Sequence, residues 1–402
     1  MRPVTKALSQ PEFIALMAMV AATVAFSIDA MLPALPEIGA ELSPDNLNRA
    51  QLILTSFVLG MGIGTFVTGP LSDAFGRKPV MIAGAVVYII AAAVAYFARS
   101  LETMLAARMI MGIGASGPRV VAMAMVRDLY AGADMARIMS FVMMVFALVP
   151  ALAPTMGHYI VIGFGWRAVF LAFIVFCMIV TLWLLLRQPE TLAPQARRPL
   201  KIASLLSATR EIFATPTTRL SIMIQTLAFG CLFGSLSSTQ QIFDVTFDQG
   251  AQFHLWFGAI AIIATSASML NARYVGQLGM RAIIRMTFIA QIILSSLLII
   301  TTLIDGPYWL TFGMFVIWTI GVFMQAGLTI GNLNALAMEP VGHIAGVAAS
   351  AIAAISTVGA VLIAVPIGLA FDGTPLPLAV GALVCVVLAL WLTTKIKRPG
   401  EV

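Results

Sequence analysis

Twelve stretches of about 20 or more mostly apolar residues, joined by short polar turns, set the limits on what this 402-residue chain can fold into. They lie near 12–33, 50–70, 79–98, 102–124, 137–161 and 166–187, and then near 219–241, 251–271, 282–304, 307–331, 343–369 and 376–394. About 20 apolar residues carry an α-helix across the hydrocarbon core, and a helix satisfies its backbone polar groups internally, as that solvent demands. The expected fold is an all-α integral membrane protein with twelve crossing helices. Composition agrees: 60% of the residues are hydrophobic and 10% are charged, against roughly 25% charged in a soluble domain. A soluble cytoplasmic enzyme, a disordered chain and a fibrous repeat are excluded on that ground.

The basic residues give the stretches a direction. With a cytoplasmic N-terminus, 18 of the 23 Lys and Arg fall on the cytoplasmic side, including Arg2, Lys6, Arg198, Lys201, Lys397 and Arg398. Arg49, Arg99 and Arg167 fall on the opposite side, and Arg108 and Arg119 stay within the membrane. This asymmetry follows the positive-inside rule and places both termini in the cytoplasm of a protein of the inner (plasma) membrane. The net charge of +6 then faces an anionic leaflet and implies no nucleic-acid partner. The first stretch is too long for a signal-peptide core and is expected to be retained. Cys177, Cys231 and Cys385 are scattered through apolar stretches, so neither a disulfide framework nor a metal site is expected.

A polar segment rich in proline and arginine, 188–218, divides the chain near its midpoint. The expected organisation is an N-terminal bundle of six helices (1–187), a cytoplasmic linker (188–218) and a C-terminal bundle of six (219–402). Parallel half repeats are a known transporter plan. A weak internal copy supports it: the turn Gly69-Pro70-Leu71-Ser72-Asp73-Ala74-Phe75-Gly76-Arg77-Lys78-Pro79 is echoed by Asn271-Ala272-Arg273-Tyr274-Val275-Gly276-Gln277-Leu278-Gly279-Met280-Arg281.

The first of these turns carries the densest chemistry. Asp73 and Arg77 are four apart and pair if the segment is helical. Gly69 and Gly76 permit close backbone approach, and Pro79 suits the start of a helix. Such a cluster, with Lys78 and with Arg127 and Asp128 at the end of the fourth stretch, can latch helix ends and release them; a solvated basic loop is the plainer reading. Asp29 is the only acid inside an apolar stretch. A charge at the bilayer centre costs about 2.5–3.5 kcal/mol on insertion scales, so such a side chain faces a cavity or a partner. It either exchanges a proton or caps the chain break before Pro33. Counting 1.5 Å per residue places Asp29 and Arg108 at similar depth in the outer half, where they can meet directly or through water; the alternative for Arg108 is a structural arginine bonding carbonyls in a tight bundle. Pro150 and Pro154 each remove a helical hydrogen bond, and with Gly157 they make a thin, kinked face suited to close packing.

The sequence Gly-x-Leu-Ser-Asp-x-x-Gly-Arg-Lys-Pro at 69–79 resembles the cytoplasmic loop signature of the major facilitator superfamily. The order Asp29 to Pro36, Arg108 to Gly112, Arg127-Asp128-Leu129-Tyr130, Pro150 to Gly157, Gly165-Trp166-Arg167, Glu190-Thr191-Leu192, Met338-Glu339-Pro340 and Asp372-Gly373-Thr374 is similar to the bicyclomycin and chloramphenicol resistance branch of the drug:proton antiporters. The resemblance covers the whole chain and implies two pseudo-symmetric six-helix bundles. It implies proton-driven efflux of small amphipathic compounds by alternating access, with the proton as coupling ion and no other cofactor. It carries proton coupling onto Arg108, beside Asp29, and an antiporter role onto Pro150, Pro154 and Gly157. A monomer embedded in lipid is expected. Met111 stands where the related motif has Gln, and His158 where it has a second Gly.

Arg119 lies one turn earlier than the arginine usual in that branch, deeper in the membrane; it either biases the interior toward anionic, zwitterionic or dipolar substrates or reaches toward the cytoplasmic water. Phe26, Met123, Phe146, Gln225, Phe229, His254, Trp256, Trp318 and Gln325, with Asp29 and Arg119, are the candidates for lining a substrate cavity; each is equally an ordinary packing residue. No Gly-x-x-x-x-Gly-Lys-Ser/Thr loop is present, which argues against ATP-driven transport. The absence of His-Glu-x-x-His and Gly-x-Ser-x-Gly argues against an enzyme. The competing reading is proton-coupled or facilitated uptake of a small organic solute by the same fold.

Overall fold

The structure is a computed structural model that describes residues 8–197, 202–304 and 306–396, with the side chains at 119, 133, 136, 146, 147 and 202–205 outside the description. The expected positions of Arg2, Lys6, Arg198, Lys201, Lys397 and Arg398 therefore lie outside the described residues. The helices are α1 (Gln10–Asp29), α2 (Leu35–Leu42), α3 (Leu52–Phe75), α4 (Arg77–Tyr96), α5 (Leu101–Leu129), α6 (Gly132–Phe164), α7 (Arg167–Arg187), α8 (Ile202–Ala214), α9 (Pro216–Gln241), α10 (Phe253–Leu278), α11 (Met280–Leu303), α12 (Tyr308–Met338), α13 (Ala345–Leu369) and α14 (Leu376–Thr393). Eleven stretches are long and apolar enough to cross a membrane, and one of them, Tyr308–Leu369, holds both α12 and α13. The twelve expected crossings are thus present, and no strand occurs among the described residues.

Two boundaries differ from the sequence expectation. The first crossing does not end near residue 33. Pro33 and Pro36 interrupt it, and a short 3-10 turn and α2 extend the span to Leu42. The linker is not wholly irregular either, because α8 lies inside it. Ala208 and Ile212, four apart on one helix face, are buried there, and that apolar pair is easily lost among polar neighbours.

The described residues divide into two compact units: one within Met1–Ser43 and Ser56–Ile202, the other within Pro44–Thr55 and Ala203–Val402. The division falls at 202/203, within the expected linker, and Pro44–Thr55 joins the second unit rather than the first. Polar side chains explain that placement. Asn48 Nδ2 donates to the carbonyls of Leu369 (3.2 Å) and Phe371 (2.7 Å). Gln51 Nε2 donates to Gln241 Oε1 at 2.6 Å, and Ser238 Oγ donates to Gln51 Oε1 at 2.9 Å.

Packing inside each unit repeats. In the first, α1 packs on α5, α6 and α7, and α4 packs on α5 and α7; in the second, α9 packs on α12, α13 and α14, and α11 packs on α12 and α14. The same pattern recurs with each helix replaced by its counterpart in the other half, as a duplicated plan requires. In the first unit the α3–α5 contact runs backbone to backbone: a Cβ on Gly60 would fall 1.8 Å from the Met109 carbonyl oxygen, and one on Gly112 would fall 2.0 Å from that of Phe57. Small residues at such crossings let helices associate where lipid gives no hydrophobic drive.

Both ends of the interrupted first span are tied to α7. Glu12 accepts from Arg187 (2.8 and 2.9 Å) and from Trp183 Nε1 (3.3 Å). Glu41 accepts from Arg167 (2.6 and 3.0 Å) and Trp166 Nε1 (2.8 Å), and the Arg167 guanidinium also lies 4.1 Å over the Trp166 ring.

Candidate functional site

Asp29 is the last residue of α1, at the break that Pro33 enforces. It is buried, at 4% exposure, and no described hydrogen bond or ion pair engages its carboxyl. The backbone beside it is held by α6. A Cβ on Gly157 would lie 2.1 Å from the Ala30 carbonyl oxygen, so only glycine lets α6 come this close to the break. Pro150 and Pro154 lie inside α6, which continues through both of them from Gly132 to Phe164. The antiporter pattern and the intramembrane acid, read separately in the sequence, meet within one unit.

Arg108 is wholly buried on α5. It does not pair with Asp29. Its Nη2 donates to the Ser27 carbonyl at 3.0 Å, its guanidinium carbon lies 4.4 Å over the Phe57 ring, and its Nη1 is 4.0 Å from Met111 Sδ. The Ser27 side chain hydrogen-bonds to the Tyr88 hydroxyl and donates to the Thr23 carbonyl at 2.7 Å. Ser27 is therefore a hub two residues before Asp29: its carbonyl holds the arginine and its hydroxyl holds the tyrosine of α4. Sequence reasoning missed both Ser27 and Tyr88. The signal available for Tyr88 was a phenol in an apolar stretch, which needs a partner when buried.

The turn between α3 and α4 forms a compact cluster. Arg77 pairs with Asp73, donates from Nε to Asp128 Oδ2 at 3.0 Å and from Nη1 to Ser72 Oγ at 2.8 Å. Thr191 Oγ1 donates to the same Asp128 oxygen at 3.0 Å. Glu190 caps α4: its two oxygens accept from the backbone N–H of Arg77 (3.0 Å) and Lys78 (3.1 Å). A carboxylate there satisfies orphan donors and complements the helix dipole. Gly76 has φ of 106°, the left-handed region that favours glycine, and its absent Cβ would lie 2.7 Å from Glu190 Oε2, a contact that the carboxylate can relieve by shifting. Lys78 Nζ donates to the Leu185 carbonyl at 2.7 Å, and Ser72 Oγ to that of Gly69 at 2.8 Å. Arg127 is exposed and takes part in none of the described ion pairs. Ser72, Glu190 and Thr191 belong to the cluster but were not assigned to it from sequence.

The cavity candidates are divided between the two units. In the first unit, Phe26 packs against Phe173 and Phe176 of α7, with ring centroids 5.4 and 5.3 Å away, which makes it part of the bundle core. Met123 is half-buried on α5. The side chains of Arg119 and Phe146 lie outside the described ones. In the second unit, Gln225 Nε2 donates to Asn334 Oδ1 at 3.1 Å and its Oε1 accepts from Ser356 at 3.4 Å. Phe229 stacks on Phe233. Trp318 is wholly buried and donates to Ser295 Oγ at 2.9 Å, again a core residue. Trp256 is half-buried with its ring 5.0 Å from Phe312, and His254 is buried near the start of α10. Gln325 is buried with neither amide atom hydrogen-bonded among the described residues. Among the described residues no group of three or more His, Cys, Asp or Glu is placed to hold a metal.

A duplicated six-helix plan, twelve crossings and an intramembrane carboxyl define a multi-pass membrane protein of the transporter type. Residues 17–365 match the model of the Major Facilitator Superfamily, and the chain belongs to that family. It is similar to the bicyclomycin resistance protein homolog of Haemophilus influenzae, 29% identical over 376 residues and covering 91% of each chain. It is also similar to a chloramphenicol resistance protein of Pseudomonas aeruginosa, 28% identical over 326 residues, covering 79% of this chain and 74% of that one. Its fold matches the crystal structure of a D-xylose–proton symporter with a TM-score of 0.76 at 14% identity, covering 96% of this chain and 99% of the other.

Proposed function

We propose that this protein exports small amphipathic organic compounds across the plasma membrane in exchange for protons, by alternating access. The relatives named for bicyclomycin and chloramphenicol resistance support efflux as the direction of transport. The observation that carries proton coupling is the placement of Asp29. It is buried at a helix break with no described ion-pair partner, braced by Gly157 on one side and two residues from Ser27 of the Ser27–Arg108–Tyr88 hub. A carboxyl in such surroundings is costly to keep ionised without a partner, so gaining or losing a proton changes the free energy of the first bundle, and the break gives that change a place to act. Arg108 anchors the backbone leading to the carboxyl and thereby sets its position.

In this reading the protein works as a monomer, both termini lie in the cytoplasm, the proton is the only coupling ion and no chemical step is catalysed. The Asp73–Arg77–Asp128 cluster holds the cytoplasmic ends of α3, α4 and α5. Gln325, a buried amide with open hydrogen-bonding capacity, is the residue of the second unit best suited to meet a polar substrate group.

The test is proton release on addition of a phenicol-type compound to purified protein, for wild type and Asp29→Asn, paired with accumulation assays in a drug-sensitive host. Release by wild type alone, and lowered accumulation that a protonophore restores, are expected. Equal release by both proteins removes Asp29 from coupling, and accelerated uptake in the host establishes an importer.

A further inference from the structure

Two thiols and one amide converge in the core of the second unit. Cys231 lies on α9, Cys385 on α14 and Gln325 on α12, and all three side chains are buried. α9 packs against both of the other helices. The Cys231 thiol donates to the Ala382 carbonyl of α14 at 3.7 Å. Ala382 precedes Cys385 by three residues, so the two lie on one side of α14, and the Cys385 thiol stands within hydrogen-bonding reach of the Cys231 thiol. Neither cysteine is in a disulfide. Gln325 lies beside the Cys231 thiol, yet neither its oxygen nor its nitrogen has a hydrogen bond among the described residues.

Packing alone accounts for the thiols, since a buried cysteine behaves as a small hydrophobe. It does not account for the amide, whose donor and acceptor are desolvated without return. A leucine would fill the space without that penalty. The amide therefore calls for a guest that offers both a donor and an acceptor, held where two sulfurs can reach it. The guest also has to be neutral. A metal dication would need both thiols as anions, releasing their protons, and would shed its hydration in an apolar core, where charge is costly. Trivalent arsenic hydroxide (arsenous acid) meets both conditions. It condenses with two thiols: two As–O bonds break, two As–S bonds form, and each thiol proton leaves with a hydroxide as water. Arsenic stays trivalent, so no oxidant or reductant takes part. The product keeps one As–OH group, which is a donor and an acceptor at once.

We propose that Cys231 and Cys385 bind trivalent arsenic as a neutral dithiol bridge between α9 and α14, with its remaining hydroxyl donating to Gln325 Oε1 and accepting from Gln325 Nε2. Two sulfurs already within hydrogen-bonding reach span one three-coordinate arsenic with little movement of the helices. The site belongs to the core of one bundle, and its occupancy is independent of whether the protein exports or imports.

The measurement is intact-mass spectrometry of the full-length protein, folded in detergent, after incubation with sodium arsenite or with phenylarsine oxide and removal of unbound reagent. Phenylarsine oxide carries a phenyl ring in place of the third hydroxyl, so it reports on the thiols without the amide. Wild type is expected to retain one arsenic from either reagent and to release it to dimercaptopropanol. Cys231→Ser and Cys385→Ser should each lose it, and Cys177→Ser should keep it. Because either of the first two variants can fail to fold, the loaded wild type is also fragmented, with arsenic expected on the segments that hold Cys231 and Cys385. Gln325→Leu should bind arsenite about tenfold more weakly, the effect of two hydrogen bonds, with phenylarsine oxide binding unchanged. No retention by wild type, arsenic on Cys177, or retention by a folded Cys231→Ser or Cys385→Ser variant overturns the proposal. So does equal weakening of both reagents by Gln325→Leu, which would leave the amide no part in the site.

Discussion

The α3–α4 and α10–α11 turns hold the same place in a duplicated plan, and they treat charge in opposite ways. The first is closed on itself: Arg77 meets Asp73, Asp128 and Ser72, and Glu190 seals the following helix. The second carries Arg281 and the exposed Arg285 in a cavity wall, with no acid in the sequence from Gly276 to Arg285. The contrast extends into the membrane. The first unit buries Asp29 and Arg108, whereas the second buries amides, Gln225, Gln291, Gln325 and Asn332. Duplication has preserved the packing of the helices while the chemistry placed on them has diverged, so coupling and recognition are expected to reside in different units.

The largest test of that separation is Asp29→Asn. One proton moving down 100 mV supplies about 2.3 kcal/mol, enough for a gradient of about fortyfold. Loss of Asp29 should abolish the gradient measured by drug accumulation while leaving substrate binding, followed by quenching of intrinsic fluorescence, nearly unchanged. Binding lost along with pumping would show that one unit does both. Next is Arg77→Ala, which strands two carboxylates and should destabilise by about 2–3 kcal/mol, lowering Tm by about 5–10 °C. Arg285→Ala, at an exposed position, should stay within about 0.5 kcal/mol of wild type. Similar losses in the two variants would erase the distinction between the turns.

Gly157→Ala should cost about 1–3 kcal/mol through overpacking against Ala30 and impair transport. Gly276→Ala, where nothing lies within 4 Å of the added Cβ, should be neutral or stabilising by about 0.5–1 kcal/mol. Gln325→Leu is expected to act in the opposite direction. Removing a buried amide with no hydrogen bond among the described residues should raise stability by about 1 kcal/mol. If Gln325 contacts substrate, transport of polar compounds falls while thermal stability rises, a split that a purely structural residue does not produce.

The sequence made the fold legible because hydrophobic length is a local signal. Twelve runs of apolar residues, a polar divide and a one-sided distribution of arginine sufficed for the helix count and the repeat. Features that depend on distant partners were not legible. Glu190 caps a helix that begins 113 residues earlier, and no periodicity relates the two positions. Arg108 was open to two readings, a meeting with Asp29 directly or through water and a structural arginine bonding carbonyls in a tight bundle, and its bond to the Ser27 carbonyl matches the second; side-chain types alone do not decide between them. Phe26 and Trp318 were selected as cavity residues for their chemistry, yet aromatic rings serve packing as readily as recognition, and both lie in bundle cores. Conversely, Gly157 was noted for its motif, and only the geometry reveals that it abuts the break beside Asp29.

The paired Glu–Arg–Trp ties between the first span and α7 carry a mechanical consequence. A strut tied at both tips resists sliding like a piston along its neighbour. In the proposed cycle, a rearrangement started at the Asp29 interruption is then expected to bow sideways, as a buckle, toward α6 at Gly157. Severing one tie, for instance at Glu41, is expected to favour the slide without touching the carboxyl.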